Sequence, residues 1–230
     1  MILAINTSTL QFSLALLDED GTLLTEYLMF AKKGHFGSLM PALHFLLTSS
    51  MSRIIDLKCI SVAKGPGSFT GLRVGLSLAK GLSHAHEIPI VGISSLETMA
   101  NQLPHTDIPI VPIISSRKGE VFSALFTWGN DNQLKRMGKD SSIKLSDFGA
   151  LYQEPVIFVG NDYANQSPLL LRTLGPRSRL APAHYWNLKA SSLGAIGLRR
   201  FHDHDFDDPH ALNPVYLRPP DIRPNPGSPL

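Results

Sequence analysis

A glycine-rich turn joined to an unusually apolar helix is the feature that most restricts how this chain can fold. Gly65, Gly67 and Gly71 follow directly after the short apolar run Cys59–Ala63. A strand, a glycine turn and a helix start can direct backbone N–H groups at an anion, or let another backbone approach closely. The spacing matches neither common nucleotide motif, because a P-loop ends in Gly-Lys-Ser/Thr and the dinucleotide motif needs a glycine where Thr70 stands. We therefore predict a glycine loop that is not a standard phosphate site, made of Gly65, Pro66, Gly67, Ser68, Phe69, Thr70 and Gly71.

The helix predicted after this loop is apolar around most of its circumference. At 100° per residue its polar side chains, which we call the polar wedge, share one narrow sector: Arg73, Ser77, Lys80 and His84. An ordinary surface helix has a single apolar stripe, so this helix must be covered on more than one side.

Two arrangements would bury the apolar circumference of this helix, and the sequence leaves both open. In one, the helix lies between its own sheet and a neighbouring helix. In the other, one side meets another protein, with Gly75, Ala79 and Gly81 allowing close approach. In the second case Gly75→Leu or Ala79→Arg should weaken dimerisation more than folding, whereas in the first the variant should unfold.

Composition indicates a globular protein in a reducing compartment. The 230 residues are 43% hydrophobic and 17% charged, with a formal net charge of +2, which does not by itself predict nucleic-acid binding. The only cysteine, Cys59, excludes an internal disulfide and lies in an apolar strand pattern, which favours packing over nucleophilic catalysis. No secretory signal and no membrane-length apolar run is present, so we expect a soluble, cytoplasmic protein without a membrane partner.

The order of strand and helix patterns predicts two lobes of similar design. Residues 1–105 form the first lobe and 106–217 the second, each opening with an apolar strand, a polar turn and a returning strand. The last predicted helix, Leu188–Phe201, could pack back on the first lobe. The proline-rich tail 218–230 is expected to be extended or disordered. The predicted strands are Ile2–Ile5, Phe12–Leu17, Thr22–Phe30, Cys59–Ala63, Ile88–Ile93, Ile110–Ile114, Glu120–Phe126 and Val156–Gly160, and the other helices lie near 38–49, 71–85 and 167–174.

This α/β, two-lobed organisation is that of the actin/Hsp70/sugar-kinase (ASKHA, ribonuclease-H-like) fold. In that fold, acidic residues on the first strand of each lobe commonly organise magnesium and water. Here Asn6 and Ser115 stand at the matching places. A neutral amide and a hydroxyl are poor ligands for a hard divalent cation. The catalytic machinery of such a fold is therefore expected to be lost.

Five ordered segments then give the chain a resemblance to the TsaB (YeaZ) family. They are ILAINTST, KGPGSFTGLRVGLSLAKGL, VGISSLETMA, ISSRKGEVFSALF and NPVYLR, and the resemblance extends from Met1 to about Arg218. Members of the family usually carry Asp where Asn6 and Ser115 stand. Their usual basic, tryptophan-containing C-terminus is replaced here by PPDIRPNPGSPL.

The resemblance implies a non-catalytic platform in the synthesis of threonylcarbamoyladenosine in tRNA. The expected partner is a TsaD-like subunit, which carries the metal and transfers threonylcarbamoyl to the adenine beside the anticodon of tRNAs that read codons beginning with A. A TsaC-like protein would supply threonylcarbamoyl-AMP, and a TsaE-like ATPase would complete the system. The chain itself is expected to bind no cofactor or metal, ATP or ADP at the partner interface remaining an option.

The family forms homodimers or heterodimers through first-lobe helices, and that surface can be transferred onto this sequence. It comprises the predicted helix 38–49 and the predicted helix 71–85. The implied interface residues are Met40, Leu43, Phe45, Leu72, Arg73, Gly75, Leu76, Ala79, Lys80 and Leu82.

Several catalytic alternatives are weaker. A zinc peptidase needs paired histidines one helical turn apart, but at that spacing His35 is followed by Leu39 and His84 by Ile88. The stretch His202–His210 is rich in His and Asp, but a solvated linker between the last helix and a final strand explains it better than a metal site. Ser68 and Thr70 lack a sequence-adjacent base, and we expect Thr70 to cap a helix that begins at Gly71. The runner-up function is an active ATPase or small-molecule kinase of the same fold.

Overall fold

The first sheet is built from the strands expected for the first lobe. A computed structural model of the chain describes residues 1–30 and 36–218. The sheet has five strands in the order β3-β2-β1-β4-β5, with β2 and β3 antiparallel to their neighbours and β4 and β5 parallel to β1. The strands are β1 (Ile2–Asn6), β2 (Gln11–Leu17), β3 (Leu23–Phe30), β4 (Cys59–Gly65) and β5 (Ile90–Ser94).

Both faces of this sheet are covered by helices of the same chain. One face packs against α1 (Leu39–Ser49) and α2 (Phe69–His86), and the other against α6 (Ala190–His202). The option that the last helix returns to the first lobe is therefore the one that the fold adopts. Cys59 is buried in β4, and burial raises the pKa of its thiol to about 12, which agrees with a packing role.

The second sheet has seven strands, and its main path runs β10-β7-β6-β11-β12. The short strands β8 and β9 lie off that path, with β8 paired to both β6 and β9. The strands are β6 (Ile110–Ser115), β7 (Glu120–Ser123), β8 (Phe126–Trp128), β9 (Leu134–Arg136), β10 (Ser141–Lys144), β11 (Val156–Gly160) and β12 (Ser178–Leu180), and the helices are α3 (Ser95–Asn101), α4 (Phe148–Leu151) and α5 (Tyr163–Leu174).

Two sequence boundaries were wrong. The single strand expected over Glu120–Phe126 is interrupted at residues 124 and 125, so that β7 and β8 are separate strands that both pair with β6. Helix α5 begins at Tyr163 rather than near Ser167, since Asp162 accepts the N–H of Asn165 at 3.3 Å and caps the helix before its internal proline.

The expected final strand is likewise absent from the described residues after α6. The only strand-type pairing described for this segment is an isolated bridge between Asp207 and Ile90 of β5. Pro209 and Pro214 lie in the segment, and proline cannot donate to a ladder. Residues 203–218, which we call the C-terminal strap, therefore run along the first lobe as irregular chain. The tail beyond Arg218 lies outside the described residues, and so does His35. Among the described helices, none is long and apolar enough to cross a membrane.

Candidate functional site

The glycine loop is held by backbone of the same chain. Ser68 donates its N–H to the Ser8 carbonyl at 2.7 Å, and a Cβ on Gly67 would overlap that carbonyl. Ser68 Oγ accepts the N–H of Gly71 at 3.2 Å, so Ser68 caps α2 and the expected cap by Thr70 is wrong. Thr70 is exposed inside the first turn. Of the two uses that a glycine turn allows, close backbone approach is the one observed at Gly67.

The other side of the loop is closed by the C-terminal strap. Val215 donates its N–H to the Lys64 carbonyl at 2.7 Å. Gly65 has a φ of +113°, and a Cβ there would lie 2.7 Å from the Val215 carbonyl oxygen. Both the backbone conformation and the lack of space require glycine at this position. The loop therefore joins the start of α2 to the strap.

An aromatic contact extends this junction to the surface of α2. The Arg73 guanidinium lies 3.9 Å from the centre of the Phe69 ring and donates from Nε to the Tyr216 hydroxyl at 3.1 Å. The Phe69 and Tyr216 rings are 4.9 Å apart. The strap continues to Arg218, whose guanidinium is 3.8 Å from Glu120 of the second lobe. Tyr216 is a functional candidate that the sequence analysis did not single out, although it lies in the NPVYLR segment.

A cleft of about 580 Å³ is lined by residues of both lobes. Its described lining residues are mostly hydroxyl, amide and apolar groups, and none of them is Lys or Arg: Ser8, Thr9, Leu10, Gln11, Phe30, Ser68, Ile114, Ser115, Ser116, Asn161, Asp162 and Asn165. Without lining cations, these walls do not neutralise the charge of a polyphosphate.

Asn6 is buried and bonded to the β1–β2 hairpin and to Leu188 rather than presented to the cleft. Its Oδ1 accepts the N–H of Ser8 at 3.0 Å and the Ser8 hydroxyl at 2.7 Å. Its Nδ2 donates to the Leu188 carbonyl at 3.3 Å and to Ser13 Oγ at 3.4 Å. The donation from Nδ2 to the Leu188 carbonyl requires an amide, since a carboxylate cannot donate.

Ser115 is held in a similar way at the end of β6. Its N–H and hydroxyl both donate to Asn161 Oδ1, at 2.9 and 3.1 Å, and Gln166 donates to its Oγ at 3.1 Å. The carboxylate that lines the cleft, Asp162, accepts the backbone and side-chain N–H groups of Asn165. The two positions that would hold magnesium ligands therefore carry neutral groups with structural hydrogen bonds.

The expected partner surface divides into a buried and an accessible half. Five of its members are buried inside the first lobe: Leu43, Leu72, Gly75, Leu76 and Ala79. The other five are exposed or half-buried: Met40, Phe45, Arg73, Lys80 and Leu82. A Cβ on Gly75 would overlap Thr7 Oγ1, so the close approach expected from another protein is made by the chain itself.

The accessible half consists of the outer side of α1 and the polar wedge of α2. Met40 is 57% exposed and Phe45 is 59% exposed, and the Phe45 ring lies 6.2 Å from Tyr27 of β3. In the polar wedge Arg73, Ser77 and His84 are exposed while Lys80 is half-buried, as the helical periodicity predicts. The first lobe thus presents exposed apolar side chains on α1 and exposed polar and basic side chains on α2.

The His- and Asp-rich stretch after α6 is engaged in ion pairs and turns. Arg200 contacts Asp205 at 2.6 Å and Asp207 at 3.2 Å. Hydrogen bonds from Arg200 lower the pKa of Asp205, and Asp207 accepts the N–H of Gly92 at 2.8 Å. Among the described residues no group of three or more His, Cys, Asp or Glu side chains could hold a metal ion.

Comparisons with known proteins agree on one family. Residues 29–166 match the family model described as TsaD, tRNA N6-adenosine threonylcarbamoyltransferase. The tRNA threonylcarbamoyladenosine biosynthesis protein TsaB of Bacillus subtilis is 38% identical over 220 residues, which are 94% of this chain and 93% of that protein.

Solved structures add support for the fold. YeaZ from Pseudomonas aeruginosa superposes with a TM-score of 0.77 at 20% identity, covering 94% of this chain and 99% of its own. Component A of the (R)-2-hydroxyglutaryl-CoA dehydratase of Acidaminococcus fermentans has a TM-score of 0.52 at 12% identity, covering 88% of this chain and 98% of its own. The expected actin/Hsp70-like (ASKHA) fold is confirmed.

Proposed function

The chain belongs to the TsaB (YeaZ) family, and from that premise we propose that it acts in threonylcarbamoyladenosine biosynthesis as a non-catalytic subunit that binds a TsaD-like catalytic subunit. The Bacillus subtilis relative that matches 94% of this chain is a biosynthesis protein of that tRNA modification. In this proposal the TsaD-like partner performs the transfer to adenine. The chain supplies a binding face.

The observation that carries the proposal is the loss of both magnesium positions of the fold. Asn6 and Ser115 are neutral, and each is held by hydrogen bonds of 2.7–3.4 Å within the chain. Phosphoryl transfer depends on metal ions held by carboxylates and on groups that neutralise the phosphates. Among the described lining residues of the cleft the one carboxylate, Asp162, is bonded to Asn165, and none is Lys or Arg, so a supporting role fits this chain better than catalysis.

The outer side of α1 and the polar wedge of α2 supply a surface suited to the partner. Large apolar side chains that are exposed beside basic ones are typical of the core and rim of a protein interface. Met40 and Phe45 would form the apolar part, with Arg73 and Lys80 at its edge. A second copy of the chain could use the same face when the TsaD-like subunit is scarce.

The first test is light scattering after size-exclusion chromatography, on the chain alone and mixed with the TsaD-like protein of the same organism. We expect a heterodimer to replace the lone species. Phe45→Glu should prevent it, whereas Glu154→Gln, in the second lobe, should not. No association with or without ATP or ADP would refute the assigned partnership.

Reconstitution then tests the pathway. Threonylcarbamoyl transfer to tRNA should require the chain together with the TsaD-like subunit, a TsaE-like ATPase and a TsaC-like source of threonylcarbamoyl-AMP. Transfer that proceeds equally well without the chain would remove its assigned role.

The runner-up function, an ATPase or small-molecule kinase, is favoured by the fold alone. It predicts ATP turnover by the isolated chain with magnesium. We expect no turnover above that of a heat-denatured control, and measurable turnover by the purified chain would reverse the choice between the two functions.

A further inference from the structure

A second concave surface lies in the other lobe, far in sequence from α1 and α2. It is a groove of about 430 Å³ beside strand β12, bounded by the segment after α3 and by the turn at residues 181–185. Its described lining is mainly apolar: Leu103, Pro104, Thr106, Ile157, Arg179, Leu180, Ala181, Pro182 and Tyr185. The function proposed above makes no use of this groove.

Hydrogen bonds hold the walls of the groove in place. Gln102 donates from Nε2 to the Tyr185 carbonyl at 2.9 Å, and its Oε1 accepts the N–H of Lys189 at 2.6 Å. The Trp186 indole N–H donates to the Ala181 carbonyl at 2.9 Å. A groove whose walls are already fixed loses little conformational entropy when a ligand binds.

The groove has one charged lining residue, and that residue is basic. Arg179 is exposed, lies beside Ile157 in the β11–β12 register, and has no ion pair among the described residues. Near it, Lys189 Nζ lies 5.4 Å from the centre of the Tyr185 ring. An arginine fork beside apolar walls is complementary to a carboxylate next to an apolar side chain.

The backbone beside the groove has room for a further strand. Strand β12 is at the edge of the second sheet, and among the described residues it pairs only with β11. An edge strand presents unpaired N–H and C=O groups that an extended segment can use. Side chains two residues apart on such a segment point to the same side.

We propose that this groove binds an extended segment of another protein that pairs with β12, places an apolar side chain against Tyr185, and sets a carboxylate two residues away against Arg179. This goes beyond the proposed function, because the binding face on α1 and α2 is not involved. The ligand class is an acidic, apolar peptide in extended conformation.

The test uses the full chain with ¹³C-labelled Ile and Leu methyl groups. The probe is a pool of acetylated hexapeptide amides with an aliphatic or aromatic residue at position two, Asp or Glu at position four, and Ser or Thr elsewhere. A second pool carries Asn or Gln at position four. We expect saturable shifts at the methyl groups of Leu103, Ile157 and Leu180, with affinity for the acidic pool about tenfold higher.

Variants separate a specific contact from general charge attraction. Arg179→Gln should remove the preference for the acidic pool, Arg179→Lys should keep part of it, and Arg172→Gln on exposed α5 should leave it unchanged. All three replace exposed side chains, so folding should be retained.

Three results would overturn the proposal. Octanoate shifting the same methyl groups with equal affinity would indicate a site for small amphiphiles. No shift with either pool, or equal shifts with both, would indicate that Arg179 and Pro182 only prevent the edge strand β12 from pairing with other chains and aggregating.

Discussion

Gly75→Ala is the substitution that separates the two explanations for the apolar circumference of α2. Thr7 Oγ1 donates to the Gly71 carbonyl at 2.7 Å and occupies the space that a Cβ on Gly75 would need. Thr7 belongs to the β1–β2 loop, which is fully buried there. The added methyl must therefore push this loop away from α2 inside the folded chain.

The expected loss of stability follows from three contributions. Forcing a methyl group into this packed contact should cost about 2 kcal/mol, and weakening the buried bond between Thr7 and Gly71 about 1 kcal/mol more. Alanine is favoured over glycine inside a helix by about 1 kcal/mol, which opposes these costs. The free energy of unfolding should fall by about 2 kcal/mol, corresponding to a decrease in Tm of about 4 to 8 °C for a chain of this size.

Gly81→Ala is the matched control in the same helix. Gly81 is exposed, and a Cβ there would meet no atom within 4 Å, so only the helix preference remains. Its free energy of unfolding should rise by about 0.5 to 1 kcal/mol. Urea denaturation followed by far-UV circular dichroism gives both midpoints. Equal midpoints, or a more stable Gly75→Ala, would refute the packing of Thr7 against α2.

Three further predictions concern the thiol, the first strand and the binding face. Cys59 should resist iodoacetamide at pH 9 until the chain is unfolded; because burial raises its pKa to about 12, the free energy of unfolding should fall as pH rises from about 9 towards 12. Asn6→Asp should lower the free energy of unfolding by about 2 to 4 kcal/mol without producing ATP turnover, since the carboxylate would face the Leu188 carbonyl; a stable variant that binds Mg²⁺, seen by calorimetry, would contradict this. Phe45→Glu should abolish binding of the TsaD-like protein with a change in Tm of less than about 2 °C, and a large fall in Tm would show that Phe45 supports the fold instead.

The sequence predicted the first sheet well, and it also predicted the positions of Asn6 in the first lobe and Ser115 in the second. Apolar runs of strand length bounded by turns leave few alternatives, so β1, β2 and β4 and the placement of Asn6 and Ser115 at strand ends followed directly. Short strands were harder. Leu134–Arg136 and Ser178–Leu180 carry too few residues for a period of two to appear, and only pairing with their neighbours defines them as strands.

Small residues on α2 indicated a close approach, and at Gly75 the structure shows the first of the two alternatives that the sequence left open. Gly75 and Ala79 do mark a place where backbone is approached closely, but a sequence pattern does not say whose atoms approach. Thr7 lies 68 positions earlier in the chain, and its packing against Gly75 depends on the tertiary fold. The same limit applies to the C-terminal strap, where Tyr216 meets Phe69 only because Val215 is bonded to Lys64.

This internal packing changes which helix should provide the apolar part of a partner interface. With α6 on one face of the first sheet and α1 and α2 on the other, the chain buries most of its own sheet. The most exposed large apolar side chains described are on α1 and directly after it, where Met40, Phe45, Met51 and Ile55 are between 57% and 94% exposed. Aromatic and Met side chains are the ones enriched in interface centres, while exposed cations belong to the rim. Truncating Phe45 should therefore change the dissociation rate of a complex, whereas reversing a charge of the polar wedge should mainly change its association rate and salt dependence.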